Sequence, residues 1–288
     1  MNKYLTIILL ACSIASCFAE NRALLIGIGA YPQNIDYYWQ EINGDNDVII
    51  AEKTLKANGF NENNITKLIN SEATFQNIIK ALQTLVNSAK TNDCIYIHFS
   101  GHGQKITDTD GDEKDGFDEA WIPYDALQEP TDTYHGQNHL TDDILNDYLH
   151  KIRKNIGPAG KIIVVTDACF SADATRNLDE EEEVRGASSK FILPNSTHYT
   201  GKQRTQDWIA LSACGENECS RQITIQNTKY GALTYALFLL KDQLKTQTAL
   251  QICNTITQLF NNKDIIPLTR TQTPKLEGPE QYKQQPLL

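Results

Sequence analysis

Two short stretches carry side chains able to do covalent chemistry. "IYIHFSGHGQ" occupies 95–104 and "IIVVTDACFSA" occupies 162–172. Each is an apolar, β-branched run that stops in small polar residues, the first at His102 and the second at Cys169. A thiol becomes a strong nucleophile once its proton is taken, and an imidazole handles that proton near neutral pH. Brought face to face, sulfur would attack a carbonyl and the imidazolium would protonate the departing amine. The main-chain N–H groups of Gly103 and Cys169 would hold the oxyanion. Gly101 and Gly103 would let substrate backbone come close. Either residue alone has a plainer explanation, since a cysteine after a strand is most often a small buried hydrophobe. What favours chemistry is their matching position, each just past a strand and flanked by Gly or Ser.

The elements around them must set that position. Strands are read at 22–32, 64–70, 93–100, 160–168 and 207–213, and amphipathic helices at 47–60, 73–89, 140–152, 230–244 and 248–261. Thr141 is the expected N-cap of the third helix. Strand and helix alternate throughout, which gives an α/β fold. It is a three-layer sandwich whose mostly parallel central sheet is flanked by helices. Such sheets bind ligands beyond the carboxyl ends of their strands, where His102 and Cys169 stand. Residues 101–139 and 170–206 read as long loops, the first rich in Asp, Glu and Gly.

The chain has 288 residues, 40% hydrophobic and 22% charged, with a net charge of −10. An acidic surface argues against nucleic acid as a partner and suits basic substrates or divalent cations. Lys3 followed by "YLTIILLACSIASCFA" reads as a signal peptide over 1–19, so the chain is expected to be exported, secreted or periplasmic. "IASC" at 14–17 offers a lipid on Cys17 as the alternative, and that lipid would be the chain's one membrane attachment. Five cysteines follow the leader, and Cys214 and Cys219 are spaced so that they could pair.

"HFSGHGQ" with "DACFSA" resembles the metacaspase and caspase-like cysteine peptidases. "RALLIGIGAYP", "NDV" at 46–48, "LTDDIL" at 140–145, "YGALTYAL" at 230–237 and "QTPKLEG" at 272–278 resemble further elements of that family. The likeness runs over roughly 22–278 and implies one caspase-like domain over 20–288. Its large-subunit-like part would be about 20–185 and its small-subunit-like part about 186–288. It implies a cysteine endopeptidase with Cys169 as nucleophile and His102 as acid/base. Metacaspases cut after Arg or Lys, and the matching acidic positions are Asp47 and Asp167, with Ser100 nearby. A carboxylate can hold a guanidinium through paired hydrogen bonds. Substrates would be proteins or peptides with Arg or Lys at P1. Phe170 and Ala172 depart from the family pattern and would alter the mouth of that pocket.

The family also implies an activating Ca²⁺ and no organic cofactor. "DTDGDEKDGFDEAW" (108–121) is dense in oxygen ligands but lacks EF-hand spacing. The matching positions are Asp115 or Asp118 with Asp142 and Asp143. A further ligand expected after the nucleophile has only Asp173 and Arg176 near its place. Arg176, Arg185 and Lys190 lie in a stretch without periodicity, which reads as an exposed loop open to nicking. An enzyme cutting after Arg would cut itself at "EEVR|GASS", after Arg185. The alternatives are a caspase-like peptidase of other P1 preference, a relative of clostripain or gingipain, and a calcium-binding adaptor on an inactive scaffold. A flavodoxin-like nucleotide binder lacks a glycine-rich phosphate loop after the first strand.

Overall fold

In a computed structural model, residues 19–33, 39–170, 184–187, 189–194, 199–200, 205–215 and 218–288 are described. The leader through residue 18, Cys17 included, lies outside them, as do Asp173 and Arg176. Three strands form the centre: β1 (Asn21–Gly27), β3 (Cys94–Ser100) and β7 (Lys161–Asp167). β2 (Ile65–Ile69) lies outside β1, and β8 (Ile209–Ser212) outside β7. β11 (Lys275–Glu277) closes the sheet, giving the order β11-β8-β7-β3-β1-β2. Every neighbouring pair is parallel except β8 and β11.

The central strands are apolar at nearly every position because both faces of the sheet are covered. Leu24, Ile26, Ile95, Ile97, Phe99, Ile162 and Val164 point into one core. Helices α2 (Phe75–Ser88) and α3 (Asp142–Ile156) cover it. Ala23, Leu25, Tyr96, Ile163 and Val165 point into the other core. Helices α1 (Gly44–Ala57), α4 (Ala232–Leu239) and α5 (Ala249–Phe260) cover that face. A short α6 (Glu280–Lys283) follows β11. Thr141 caps α3 as expected, its side chain accepting from the Ile144 amide.

Two expectations need correction. Residues 101–139 are not one long loop. They supply β4 (Gly103–Thr107) and β5 (Phe117–Trp121), which form an antiparallel sheet with β6 (Leu140–Thr141) just beyond them. Stacking of Trp121 on Phe99, with centroids 4.6 Å apart, fastens it to the main sheet. The segment 230–244 does not start as a helix either. β9 (Gln222–Ile225) and β10 (Thr228–Gly231) form a hairpin turning on Gln226 and Asn227, both at positive φ, and α4 begins after it. Cys214 and Cys219 are not bridged, and neither are Cys94, Cys169 and Cys253.

Candidate active site

β3 and β7 run in register, so Ser100 pairs with Asp167 at their carboxyl ends. His102 and Cys169 each follow two residues later. Identical offsets from paired residues bring thiol and imidazole to one edge of the sheet. His102 is 2% exposed and is clamped by aromatic rings. Trp39 stacks on it at 5.0 Å, and Tyr31 tilts against it at 5.3 Å. The Tyr31 hydroxyl accepts from the His102 amide at 3.2 Å and donates to the Ile122 carbonyl. His102 Nε2 lies 2.8 Å from the Gln40 carbonyl, which can only accept, so Nε2 carries the proton. Nδ1 has no hydrogen-bond partner and keeps its lone pair available. Burial lowers the His102 pKa to about 4, against the Gln40 bond that raises it, so the imidazole is neutral. The Cys169 thiol is buried and donates to the Glu218 carbonyl at 3.2 Å.

Beside this pair lies a pocket of buried anions. Asp47 sits in the first turn of α1, and Asp167 ends β7; both are fully buried, as is Ser100. The Ser100 hydroxyl donates to Asp47 at 2.6 Å, and the Gly231 amide donates to the same carboxylate at 2.9 Å. Asp167 accepts from Ser220 Oγ at 2.8 Å and from both the amide and the hydroxyl of Thr234. Gly231 must be glycine, since a Cβ there would come within 2.2 Å of Asp167 Oδ2.

The occupant of this pocket is Arg185. Its side chain is fully buried, with Nη1 2.8 Å from Asp47 Oδ2 and 4.0 Å from Asp167 Oδ1. Nη1 also donates to Ser100 Oγ, and Nη2 donates to Gln222 Oε1 at 3.4 Å. Burial drives the Asp47 pKa up to about 6, while the guanidinium pulls it back down. Arg185 was expected on an exposed loop. Its burial corrects that reading, because a charge leaves water when a better-placed set of opposite charges awaits it.

The backbone of Arg185 is held as firmly as its side chain. Its carbonyl accepts from the Cys169 amide at 2.8 Å and the Gly103 amide at 3.2 Å. Its own amide donates to the Ser220 carbonyl at 3.1 Å, and Val184 pairs antiparallel with Arg221. Downstream, Gly186 pairs with Gly103, and the Ala187 amide donates to the Gly103 carbonyl at 3.1 Å. Val184 packs into a small cluster with Cys169, Cys214 and Cys219. Strand pairing, a filled pocket and a carbonyl on two amides are what a bound peptide shows across a scissile bond.

The acidic residues divide. Asp115 is about half exposed and paired with Lys105 at 2.6 Å, outside the carboxylate groups that could share a cation. Asp118 and Asp143 gather with Asp112, while Asp142 gathers with Glu113 and Glu119. Within each group, ligand oxygens lie within 4.8 Å of one another. Asp118 is 5% exposed, and its Oδ1 and that of Asp142 are buried without a hydrogen bond. Burial, then neighbouring carboxylates, raise both Asp118 and Asp142 to about 8. Buried oxygens lacking donors and crowded by like charge fit a hard divalent cation. Sequence reasoning missed Asp112, Glu113 and Glu119, and in the pocket it missed Ser220, Gln222 and Thr234. It also missed Tyr31, Trp39 and Gln40, which give no signal because aromatic and amide residues in a turn carry no periodicity.

The sequence profile of the caspase domain, peptidase C14, matches residues 20–288. The chain belongs to the caspase-domain peptidase family. Within that family it is similar to metacaspase-1 of Candida albicans, at 26% identity over 92% of this chain and 66% of that one. It is equally similar to metacaspase-1 of Schizosaccharomyces pombe, at 26% over 86% and 66%. The chain therefore spans just under two thirds of the length of these relatives. Among solved structures, a protein of Geobacter sulfurreducens matches with a TM-score of 0.64 and 20% identity over 93% of this chain and 98% of that one. Caspase-1 of Spodoptera frugiperda matches at 0.58 and 14%, over 90% and 86%. Both likenesses bear out the mostly parallel sheet with helices on two faces.

Proposed function

We propose that this chain is an exported cysteine endopeptidase that cleaves after Arg or Lys, and that its first substrate is its own Arg185–Gly186 bond. One observation carries the reading. The Arg185 guanidinium lies on Asp47 and Ser100 beside Asp167, while its carbonyl rests on the amides of Gly103 and Cys169. An Asp at P1 would meet two carboxylates there and be repelled.

The chemistry follows from the groups present. The Cys169 thiol passes its proton to the lone pair of His102 Nδ1, and its sulfur attacks the Arg185 carbonyl carbon. Negative charge develops on the carbonyl oxygen, where the two amides already point. His102, held by Gln40, Tyr31 and Trp39, delivers a proton to the departing Gly186 nitrogen. Water, deprotonated by His102, then hydrolyses the thioester at Arg185. Before attack the thiol must turn from the Glu218 carbonyl.

Calcium is the proposed activator. Asp112, Asp118 and Asp143, with Asp142, Glu113 and Glu119 beside them, would hold it, and bound Ca²⁺ would supply positive charge to the donor-free oxygens of Asp118 and Asp142. It would pin β5 and the start of α3 together, and β5 is the strand that pairs with β4 along its length from Gly103. Export rests on the leader over 1–19. In support of cleavage after Ala19, the Glu20 nitrogen is 2.8 Å from the buried Asp93 carboxylate, which would accept a free ammonium.

The test is hydrolysis of Arg-, Lys- and Asp-terminated fluorogenic peptides by residues 20–288, with calcium and with chelator, beside Cys169→Ala. Cleavage after Arg and Lys that needs calcium and Cys169 is expected. Cleavage after Asp, or cleavage surviving Cys169→Ala, would overturn the reading.

A further inference from the structure

The segment after the scissile bond lies on the nucleophile itself. Gly186 pairs in parallel with Gly103, so two glycines face each other across the end of β4. A Cβ on Gly186 would sit 2.7 Å from the Cys169 carbonyl oxygen, 3.1 Å from its Cβ and 3.2 Å from its Sγ. The oxygen belongs to backbone held at the end of β7, so it cannot swing aside as a long side chain would. The opposite wall is equally fixed: a Cβ on Gly103 would meet the same oxygen at 2.6 Å and the Phe170 ring at 2.7 Å. Gly186 does not take a left-handed φ. Glycine stands there for space and not for conformation.

We infer that the site admits glycine at the position after the cleaved bond and excludes residues bearing a Cβ, so that its substrates carry Arg-Gly. This deepens, and rests on, the reading of Arg185–Gly186 as the scissile bond. The restriction acts on attack alone. Peptides differing only after the Arg yield one and the same thioester, so its hydrolysis cannot tell them apart.

Two quenched fluorogenic peptides test this: Glu-Glu-Val-Arg-Gly-Ala-Ser-Ser and the same peptide with alanine for glycine. Each is assayed for kcat/KM and for the rate of the single-turnover attack step. The alanine peptide is expected to be cut at least about tenfold more slowly, with the loss in the attack step, as forced overpacking against fixed backbone predicts. In the full chain, Gly186→Ala is expected to slow self-cutting by a like factor. Equal rates for the two peptides, with the glycine peptide cut after Arg in a Cys169-dependent way, overturn this inference and leave the site reading intact. A glycine peptide that is not cut, or is cut by Cys169→Ala, overturns both.

Discussion

Two places where the molecule buries negative charge are treated differently. Asp47 and Asp167 are fully buried, yet donors and a cation lie on them: Ser100, Gly231, Ser220, Thr234 and the guanidinium of Arg185. Asp118 and Asp142 lie in a second anionic group, where each leaves one buried oxygen without a donor. The cost of removing a carboxylate from water must be offset by local charge or hydrogen bonds. In the first pocket the chain supplies the offset from its own sequence. In the second, Lys105 lies 3.3 Å from Glu119, while the buried oxygens of Asp118 and Asp142 receive no donor. On the proposed reading, the first pocket is a peptide site and the second a cation site.

The largest predicted effect comes from making the first pocket resemble the second. Arg185→Gln leaves Asp47 and Asp167 without their cation, and breaking a buried pair costs about 3–5 kcal/mol. A clear fall in Tm and loss of cutting at residue 185 are expected, read by calorimetry and intact mass. An unchanged Tm would mean that the pocket does not depend on Arg185.

Filling the second pocket should give the next effect. Calcium at about a hundredfold over its Kd should stabilise the protein by about 2.7 kcal/mol, seen as a Tm shift that chelator reverses. The calcium-free protein should also respond to pH. The folded pKa of Asp118 and Asp142, about 8, lies above the ordinary carboxylate value. The folded state therefore holds these protons more tightly than the unfolded state. Their contribution to stability is full at acid pH and is lost as pH rises toward and through 8. Thermal melts in chelator between pH 6 and 9 should show Tm falling to about pH 8 and levelling above it, and calcium should flatten the slope.

Above about pH 8, where Asp118 is charged, Asp118→Asn should raise the calcium-free Tm modestly by removing like-charge crowding, and it should abolish most of the calcium shift. The smallest effect is expected from Asp115→Asn. That carboxylate is about half exposed on Lys105, where an ion pair is worth about 0–1 kcal/mol. Equal calcium responses in the two variants would contradict the placement of the cation.

How far the sequence could reveal this follows from the physics of each part. The central strands were legible because burial on both faces writes an unbroken apolar run. His102 and Cys169 were legible because each follows such a run by a short fixed step. The β4–β6 sheet was not, since strands such as "GQKIT" and "FDEAW" mix charge with apolar residues inside an acidic stretch. Arg185 was legible as a proposed cleavage point, through the acidic pocket that the family resemblance implies, but not as a buried residue. Its partners Asp47, Ser100 and Asp167 come from other elements, and only the folded sheet edge brings them together. For the same reason Ser220, Gln222 and Thr234 carried no signal: each is an ordinary polar residue until the β9–β10 hairpin and α4 lay it against Asp167 or Arg185.

The most direct test of the account is to incubate the purified protein with calcium and sequence the N-terminus of any new fragment, with Cys169→Ala in parallel. The account predicts one fragment beginning Gly-Ala-Ser-Ser, from the cut between Arg185 and Gly186, and none from Cys169→Ala. A chain that stays whole, or is cut elsewhere while Arg185–Gly186 remains joined, would contradict it.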